Sequence, residues 1–208
     1  MATIVDIPYK CTFIHIPKTA GNSVTDWLKE HANAKVTKRK QHATVAEVIE
    51  GDHGLGPIND LGWKFCIVRN PWDYMVSWYT FKVMLADMYV DMLTTNTDLQ
   101  KKHKLKYNLE LQKNEQKRLA QGFDWWVKQT RRKPQSHWAK DCDYVMKLEN
   151  INNDFLTVQK KLNCFEPLPH KNKTTGRTNY KDYYTSELID IVAEKYKVDI
   201  DKFNYTFD

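Results

Sequence analysis

Two short stretches hold the residues best suited to chemistry. The first, HIPKTAGNS, runs from His15 to Ser23. An apolar run, CTFI, precedes it and an amphipathic run, VTDWL, follows, so the stretch reads as a turn between a strand and a helix. The first N–H groups of a helix lack intrahelical partners and sit at the positive end of its dipole, which suits an anion. Lys18 adds a mobile positive charge. Thr19, Asn22 and Ser23 add side-chain donors, and Gly21 permits close backbone approach or a positive φ. Lys18, Thr19, Ala20, Gly21, Asn22 and Ser23 therefore form a candidate cradle for a phosphate or sulfate. A plainer reading stays open, in which Asn22 or Ser23 only caps the helix. The order of residues excludes a Walker A loop: GxxxxGK[ST] places its lysine after the second glycine, whereas Lys18 precedes the only glycine here.

The second stretch is VRNPWD, Val68 to Asp73, after the strong strand candidate WKFCIV. Asn70 suits an N-cap, Pro71 the first helical position and Asp73 the first turn. Capping does not account for Arg69. An arginine at the carboxyl end of a buried strand needs an anionic partner. Ser77 follows Asn70 by about two helical turns and so shares its face, which lets Arg69 and Ser77 grip one phosphate from two sides.

These turns need elements to hold them. Strands are expected at Cys11 to Ile16, Lys35 to Lys38, Trp63 to Val68 and Asp143 to Leu148. Helices are expected at Asn22 to His31, Thr44 to Glu50, Pro71 to Leu93, Asn108 to Arg132, Ile151 to Leu162 and Thr185 to Tyr196. Strands alternating with such helices imply βαβ units and a mainly parallel α/β sheet, with ligands at the carboxyl ends of the strands. Asp98 to Arg118 is dense in lysine and poor in large apolar residues, and reads as an exposed helical insertion or lid. With the rest of that helical stretch, it gives one domain over 1–208 with an insertion at 98–132. Pro167 to Tyr184 lacks periodicity and reads as a long loop.

Composition narrows the classes. The 208 residues, 41% hydrophobic and 12% aromatic, suffice for a packed core. The mean hydropathy of -0.68 and the lack of a ~20-residue apolar run argue against a membrane span. No signal-peptide pattern opens the sequence, so a cytoplasmic location is expected. The four cysteines form no CxxC pair and read as free thiols, not as a metal site or disulfide framework. The net charge of +6 favours a polyanionic partner without naming it.

FIHIPKTAGNSV and FCIVRNPWDYMVSWY resemble the two signature segments of sulfotransferases that use 3′-phosphoadenosine 5′-phosphosulfate (PAPS). The resemblance is closer to the carbohydrate branch, which includes the heparan-type 2-O enzymes. DYVMKLENINNDF, LPHKNKT and YKDYY are similar too, so the resemblance spans Phe13 to Tyr184. It implies a P-loop-like three-layer fold. It implies that Lys18 to Ser23 bind the phosphosulfate, that Arg69 and Ser77 bind the 3′-phosphate, and that Lys173 and Arg177 close over the nucleotide. Asn22 stands where many relatives have threonine. PAPS would be the donor and adenosine 3′,5′-bisphosphate the product. The expected acceptor is a hydroxyl, of a carbohydrate, with no nucleic acid, membrane or metal involved. No Golgi-type anchor pattern is read in the sequence, which fits a bacterial or viral origin or a piece cut from a longer protein.

Sulfuryl transfer rests on positioning and charge stabilisation. Lys18 would stabilise the leaving oxygen. A histidine or glutamate would take the acceptor proton. His42, in KQHATVAEV, resembles the segment that supplies a histidine base in the carbohydrate branch; His53, His15 and Glu47 are alternatives. Gln135, Ser136 and His137, in KPQSHW, and His170 are candidates to line the acceptor cleft. Two other readings stay open: a P-loop-like nucleotide-dependent kinase, and a basic polyanion-binding module without catalysis. The displaced lysine and the Arg69–Ser77 pair count against the kinase.

Overall fold

The computed structural model describes residues 4–6, 10–36, 42–51, 60–102, 104–169 and 178–208. His53, His170, Lys173 and Arg177, all candidates from the sequence, lie outside the described residues.

Five strands form one sheet: β1 (Ile4–Asp6), β2 (Cys11–Ile14), β3 (Lys35–Val36), β4 (Trp63–Val68) and β5 (Tyr144–Lys147), in the order β3-β1-β2-β4-β5. β2 pairs in parallel with β4, and β4 with β5. β1 is antiparallel to both β2 and β3. The core of the sheet is thus parallel, as expected. β1 is an addition that three residues of local pattern did not reveal, and it folds back as a hairpin on β2.

The helices are α1 (Gly21–His31), α2 (Val45–Ile49), α3 (Pro71–Thr95), α4 (Leu109–Leu119), α5 (Phe123–Gln129), α6 (Ser136–Ala139), α7 (Ile151–Leu162), α8 (Ser186–Lys195) and α9 (Lys197–Phe203). They lie on both faces of the sheet because WKFCIV is apolar without alternation. Successive side chains of a strand point to opposite faces. Phe65 and Ile67 join Cys11, Phe13, Val24, Trp27, Met146, Phe155 and Val158, so α1 and α7 cover one face. Cys66 and Val68 join Ile14, Met75, Trp126, Val192 and Tyr196, so α3, α5 and α8 cover the other. This is the three-layer α/β arrangement read from the sequence.

Three boundaries differ from expectation. The single helix expected over Asn108 to Arg132 is broken. Gly122, at φ 98, separates α4 from α5, and its N–H closes a turn on the Leu119 carbonyl at 3.0 Å. From Leu119 onward the chain enters the main core, through Phe123, Trp126 and Val127. The helix expected to end at Tyr196 is followed at once by α9, whose Asp199 is fully buried. The strand expected to reach Ile16 stops at Ile14, leaving His15 and Ile16 to begin the turn.

The lysine-rich segment lies at the far end of α3, which is about 37 Å long at 1.5 Å per residue. Lys106 lies 4.8 Å and Lys102 5.9 Å from the centre of the Tyr107 ring, and a hollow of about 350 Å³ opens beside Lys104 and Lys113. Lys82–Glu115, at 3.5 Å, and Gln116–Asp87, at 2.7 Å, fasten α4 to α3. No helix among the described residues is long and apolar enough to cross a membrane.

A glycine fixes the join between β2 and β4. Gly62 has φ 57, and a Cβ there would sit 1.6 Å from the Lys10 carbonyl oxygen. That oxygen accepts the Trp63 N–H at 2.8 Å, the bond that starts the parallel ladder. Gly122, by contrast, has open space around its Cβ position. Gly62→Ala should therefore cost more than the roughly 1–3 kcal/mol of backbone strain expected for Gly122→Ala. Paired urea denaturation curves check this, and equal losses would refute the steric argument.

Candidate active site

The parallel register of β2 and β4 sets Ile14 beside Cys66, so both turns leave the same edge of the sheet on neighbouring strands. They touch. Arg69 Nη1 donates to the Lys18 carbonyl at 3.1 Å. Arg69 Nε donates to Asp73 Oδ2 at 2.6 Å, so the anionic partner that its position demands is supplied within the same helical turn. Two of the five guanidinium donors are engaged this way among the described residues.

The first turn is tight and strained. Lys18 (φ 63) and Ala20 (φ 58) both adopt left-handed backbone without being glycine. Such residues cost energy and concentrate at functional sites. Ala20 is the N-cap of α1 and has no side chain able to cap. Neither Asn22 nor Ser23 takes that position, so the plain capping reading is set aside. The Ser23 N–H closes on the Ala20 carbonyl at 3.0 Å. Asn22 is exposed and Ser23 buried. Thr19 is buried, and its one hydroxyl proton goes to the Ile16 carbonyl at 2.9 Å. It closes the turn and does not add the side-chain donor expected of it.

Gly21 serves by close approach, not by positive φ. A Cβ there would lie 1.9 Å from His15 Cδ2. His15 is buried, stacks on Phe13 at 5.9 Å between ring centres, and meets His42 edge-on at 4.8 Å. The Lys18 ammonium lies over the Phe81 ring, 3.7 Å from its centre. Phe81 stands one turn beyond Ser77 on α3, so Lys18 reaches the face that carries Ser77. Ser77 itself is buried.

The second turn matches its local chemistry. Asn70 Oδ1 accepts the Trp72 and Asp73 N–H groups at 3.0 and 3.5 Å, and Pro71 opens α3. Asn70 also donates its N–H to Glu149 Oε1 at 2.6 Å and its Nδ2 to the Thr206 carbonyl at 2.7 Å. Tyr205 donates to Glu149 Oε2 at 3.1 Å. Burial and that carboxylate push the Tyr205 hydroxyl far above its ordinary range.

His42 is half-buried beside the first turn. Its Nδ1 lies 2.8 Å from the His15 carbonyl oxygen. A carbonyl only accepts, so Nδ1 carries the proton and the neutral ring keeps its lone pair on Nε2. Burial lowers its pKa below the ordinary 6.5, against the opposing pull of the His15 bond. Trp138 Nε1 donates to the His42 carbonyl at 2.9 Å. Glu47 is occupied otherwise: its carboxylate accepts the Thr44 N–H at 2.7 Å in a capping box at the start of α2.

Gln135 is fully buried, and its amide brackets Arg69. The Arg69 N–H donates to Gln135 Oε1 at 2.8 Å, and Gln135 Nε2 donates to the Arg69 carbonyl at 2.7 Å. Ser136, also buried, donates its N–H to Asp199 Oδ1 at 2.8 Å. His137 Nε2 lies 3.0 Å from Lys133 Nζ, and burial followed by that charge lowers its pKa. The residues missed from the sequence are Asp199, Phe81, Asp73 as a partner of Arg69, and Trp138 as a tether of His42. Only Asp73 had a local signal, its i,i+4 spacing from Arg69. Among the described residues, no group of three or more His, Cys, Asp or Glu side chains is gathered where a metal ion would bind.

Gly21→Ala should force the His15 ring out of its contact with His42. The His42 pKa, followed by NMR titration, should then rise toward 6.5 as burial is lost. The protein should lose about 1–3 kcal/mol of stability. An unchanged His42 titration would show that His15 does not shield it.

A family model described as the Sulfotransferase family matches residues 1–206. Searches of the curated proteins and of the solved structures returned no match. The family match runs through both turns, α6 and α9. The chain belongs to the Sulfotransferase family, and so is a transferase that moves a sulfuryl group from a sulfonate donor to a hydroxyl or amine acceptor.

Proposed function

We propose that the protein uses PAPS to sulfate a hydroxyl group of a carbohydrate, with Lys18 at the leaving oxygen and His42 as the base. The observation that carries this reading is the Arg69–Lys18 hydrogen bond. It joins two anion grips on adjacent strand ends, which suits a nucleotide phosphorylated at both ends of its ribose. The carbohydrate acceptor rests on the resemblance of the loop motifs to that branch.

The residues present fit such a donor. The start of α1 offers N–H groups with no side-chain cap, and Gly21 keeps the backbone close. When bound, PAPS supplies the sulfuryl group and a phosphate leaving group. Lys18, Thr19, Ala20, Gly21, Asn22 and Ser23 hold the phosphosulfate end, with Thr19 acting through its backbone. Arg69 and Ser77 hold the 3′-phosphate. Lys173 and Arg177 complete the nucleotide site on the basis of the resemblance alone.

His42 accepts the acceptor's proton at Nε2 as the acceptor oxygen bonds to sulfur and the bond from sulfur to the bridging oxygen breaks. Lys18 leaves the Phe81 face to offset the negative charge that grows on that oxygen; the ring itself contributes only about 0.5–2 kcal/mol to holding the cation at a partly exposed site. Burial, which lowers the His42 pKa, favours the neutral ring that a general base needs.

Adenosine 3′,5′-bisphosphate should raise the melting temperature well above the shift given by ATP at equal concentration. Equal shifts, or none, would sink the donor assignment. Lys18→Ala should lower kcat by roughly 100-fold or more, the range seen when a charge-stabilising donor is lost, while the fold persists. The acid limb of kcat/KM should fall below pH 6.5, since the depressed pKa of His42 keeps its free base present there. His42→Ala with full activity and an unchanged acid limb would assign the base elsewhere. The same depressed pKa makes His42 stabilising above pH 6.5, with that contribution lost as pH falls through its folded-state value.

A further inference from the structure

Asp199 is a charged group that no step above uses. It is fully buried, on α9, far in sequence from either turn. Both its oxygens accept backbone N–H groups at the start of α6: Oδ2 from Gln135 at 2.6 Å and Oδ1 from Ser136 at 2.8 Å. A buried carboxylate is tolerated when charge-assisted hydrogen bonds replace its hydration. Here two N–H groups do so, and the helix start adds a favourable dipole.

The residue so fixed is Gln135, whose own amide then fixes Arg69. Gln135 takes up both the Arg69 N–H and the Arg69 carbonyl. That is the pattern of a neighbouring strand, supplied by one side chain at the point where β4 ends. A side-chain amide is planar, so it pins the orientation of both peptide groups flanking Arg69. The guanidinium, already tied to Asp73 and the Lys18 carbonyl, is thereby left with little freedom.

We infer that Asp199 and Gln135 form a two-step clamp that positions Arg69 to read the 3′-phosphate of the donor. This rests on the assignment of Arg69 to that phosphate. Neither residue touches the donor in this proposal; both act through the Arg69 backbone. Removing Gln135 would take these partners from the half-buried Arg69 N–H and carbonyl and free the arginine to swing. Removing the Asp199 charge would loosen Gln135 in turn. Specificity for a 3′-phosphorylated nucleotide, not nucleotide binding in general, is what the clamp supplies.

The test is a ratio of affinities measured by calorimetry at one ionic strength. The probes are adenosine 3′,5′-bisphosphate and adenosine 5′-monophosphate, which differ only in the 3′-phosphate. Arg69→Ala sets the scale and should collapse the ratio. Gln135→Ala and Asp199→Asn should each lower it by about tenfold, the effect of losing a well-placed buried hydrogen-bonding group. Binding of the monophosphate should hardly change, which a general loss of folding would not allow. In an Arg69→Ala background, Gln135→Ala should lower the ratio no further. If Asp199→Asn fails to fold, Gln135→Glu serves in its place: it keeps one acceptor, removes the donor to the Arg69 carbonyl, and should also lower the ratio. A wild-type ratio in Gln135→Ala, with a collapsed one in Arg69→Ala, overturns the clamp. An unchanged ratio in Arg69→Ala overturns the 3′-phosphate assignment and the clamp with it.

Discussion

The parallel pairing of β2 with β4 is the constraint on which the site depends. Strands in register from Cys11–Trp63 to Ile14–Cys66 run to the same edge of the sheet, β4 two residues beyond β2. Hydrogen-bonded strands lie about 4.8 Å apart, so whatever follows them starts within side-chain reach. One strand is followed by a lysine turn, the other by an arginine turn. Each turn leads into a helix on a different face of the sheet, α1 on one side and α3 on the other. The starts of α1 and α3, with Lys18 and Arg69 before them, therefore lie side by side at one edge of the sheet.

The short helix α6 makes that arrangement rigid. It reaches Arg69 through Gln135, His42 through Trp138, and α9 through Asp199. Three elements from distant parts of the chain thus meet on four residues, Ser136–Ala139, and the residue before them. The hydrogen bonds are mostly to backbone. A side chain that holds backbone orients every group attached to it, whereas one that holds another side chain leaves the backbone free. Buried bonds of this kind are also costly to break, because the orphaned partner cannot find water. The network fixes the backbone at Arg69 and His42 in a region that is otherwise loop.

The legible parts of this protein were those whose chemistry is local. The turn at Asn70-Pro71-Trp72-Asp73 follows from capping preferences within four residues, and the structure has that cap. Two-sided burial of β4 follows from six consecutive residues. The lysine turn was legible as a strand-to-helix junction, but not the division of labour within it. Thr19 read as a side-chain donor, and Gly21 as a point of close approach or of positive φ. They prove to be a turn closure and a contact surface for His15. Long-range partners gave no signal. Nothing in KVDIDKF says that the first aspartate is buried under α6 while the second is exposed. The short strand β1 and the break before α5 were missed because three residues and one glycine weigh little against a periodic pattern.

The backbone of the lysine turn makes a further point about the site. Lys18 and Ala20 sit where glycine would be strained least. Glycine at position 18 would relieve the backbone but remove the charge. At position 20 it would also widen the choices open to the chain before α1, and with them the entropy lost on folding. The turn instead keeps a charged residue in a costly conformation and offsets the cost nearby. The Lys18 carbonyl accepts from Arg69, the Lys18 ammonium rests on Phe81, and the Thr19 hydroxyl closes on Ile16. Strain that three separate contacts hold in place is strain the fold retains for a purpose. Together the three contacts fix where the turn and its ammonium group rest, over Phe81 and one helical turn from Ser77.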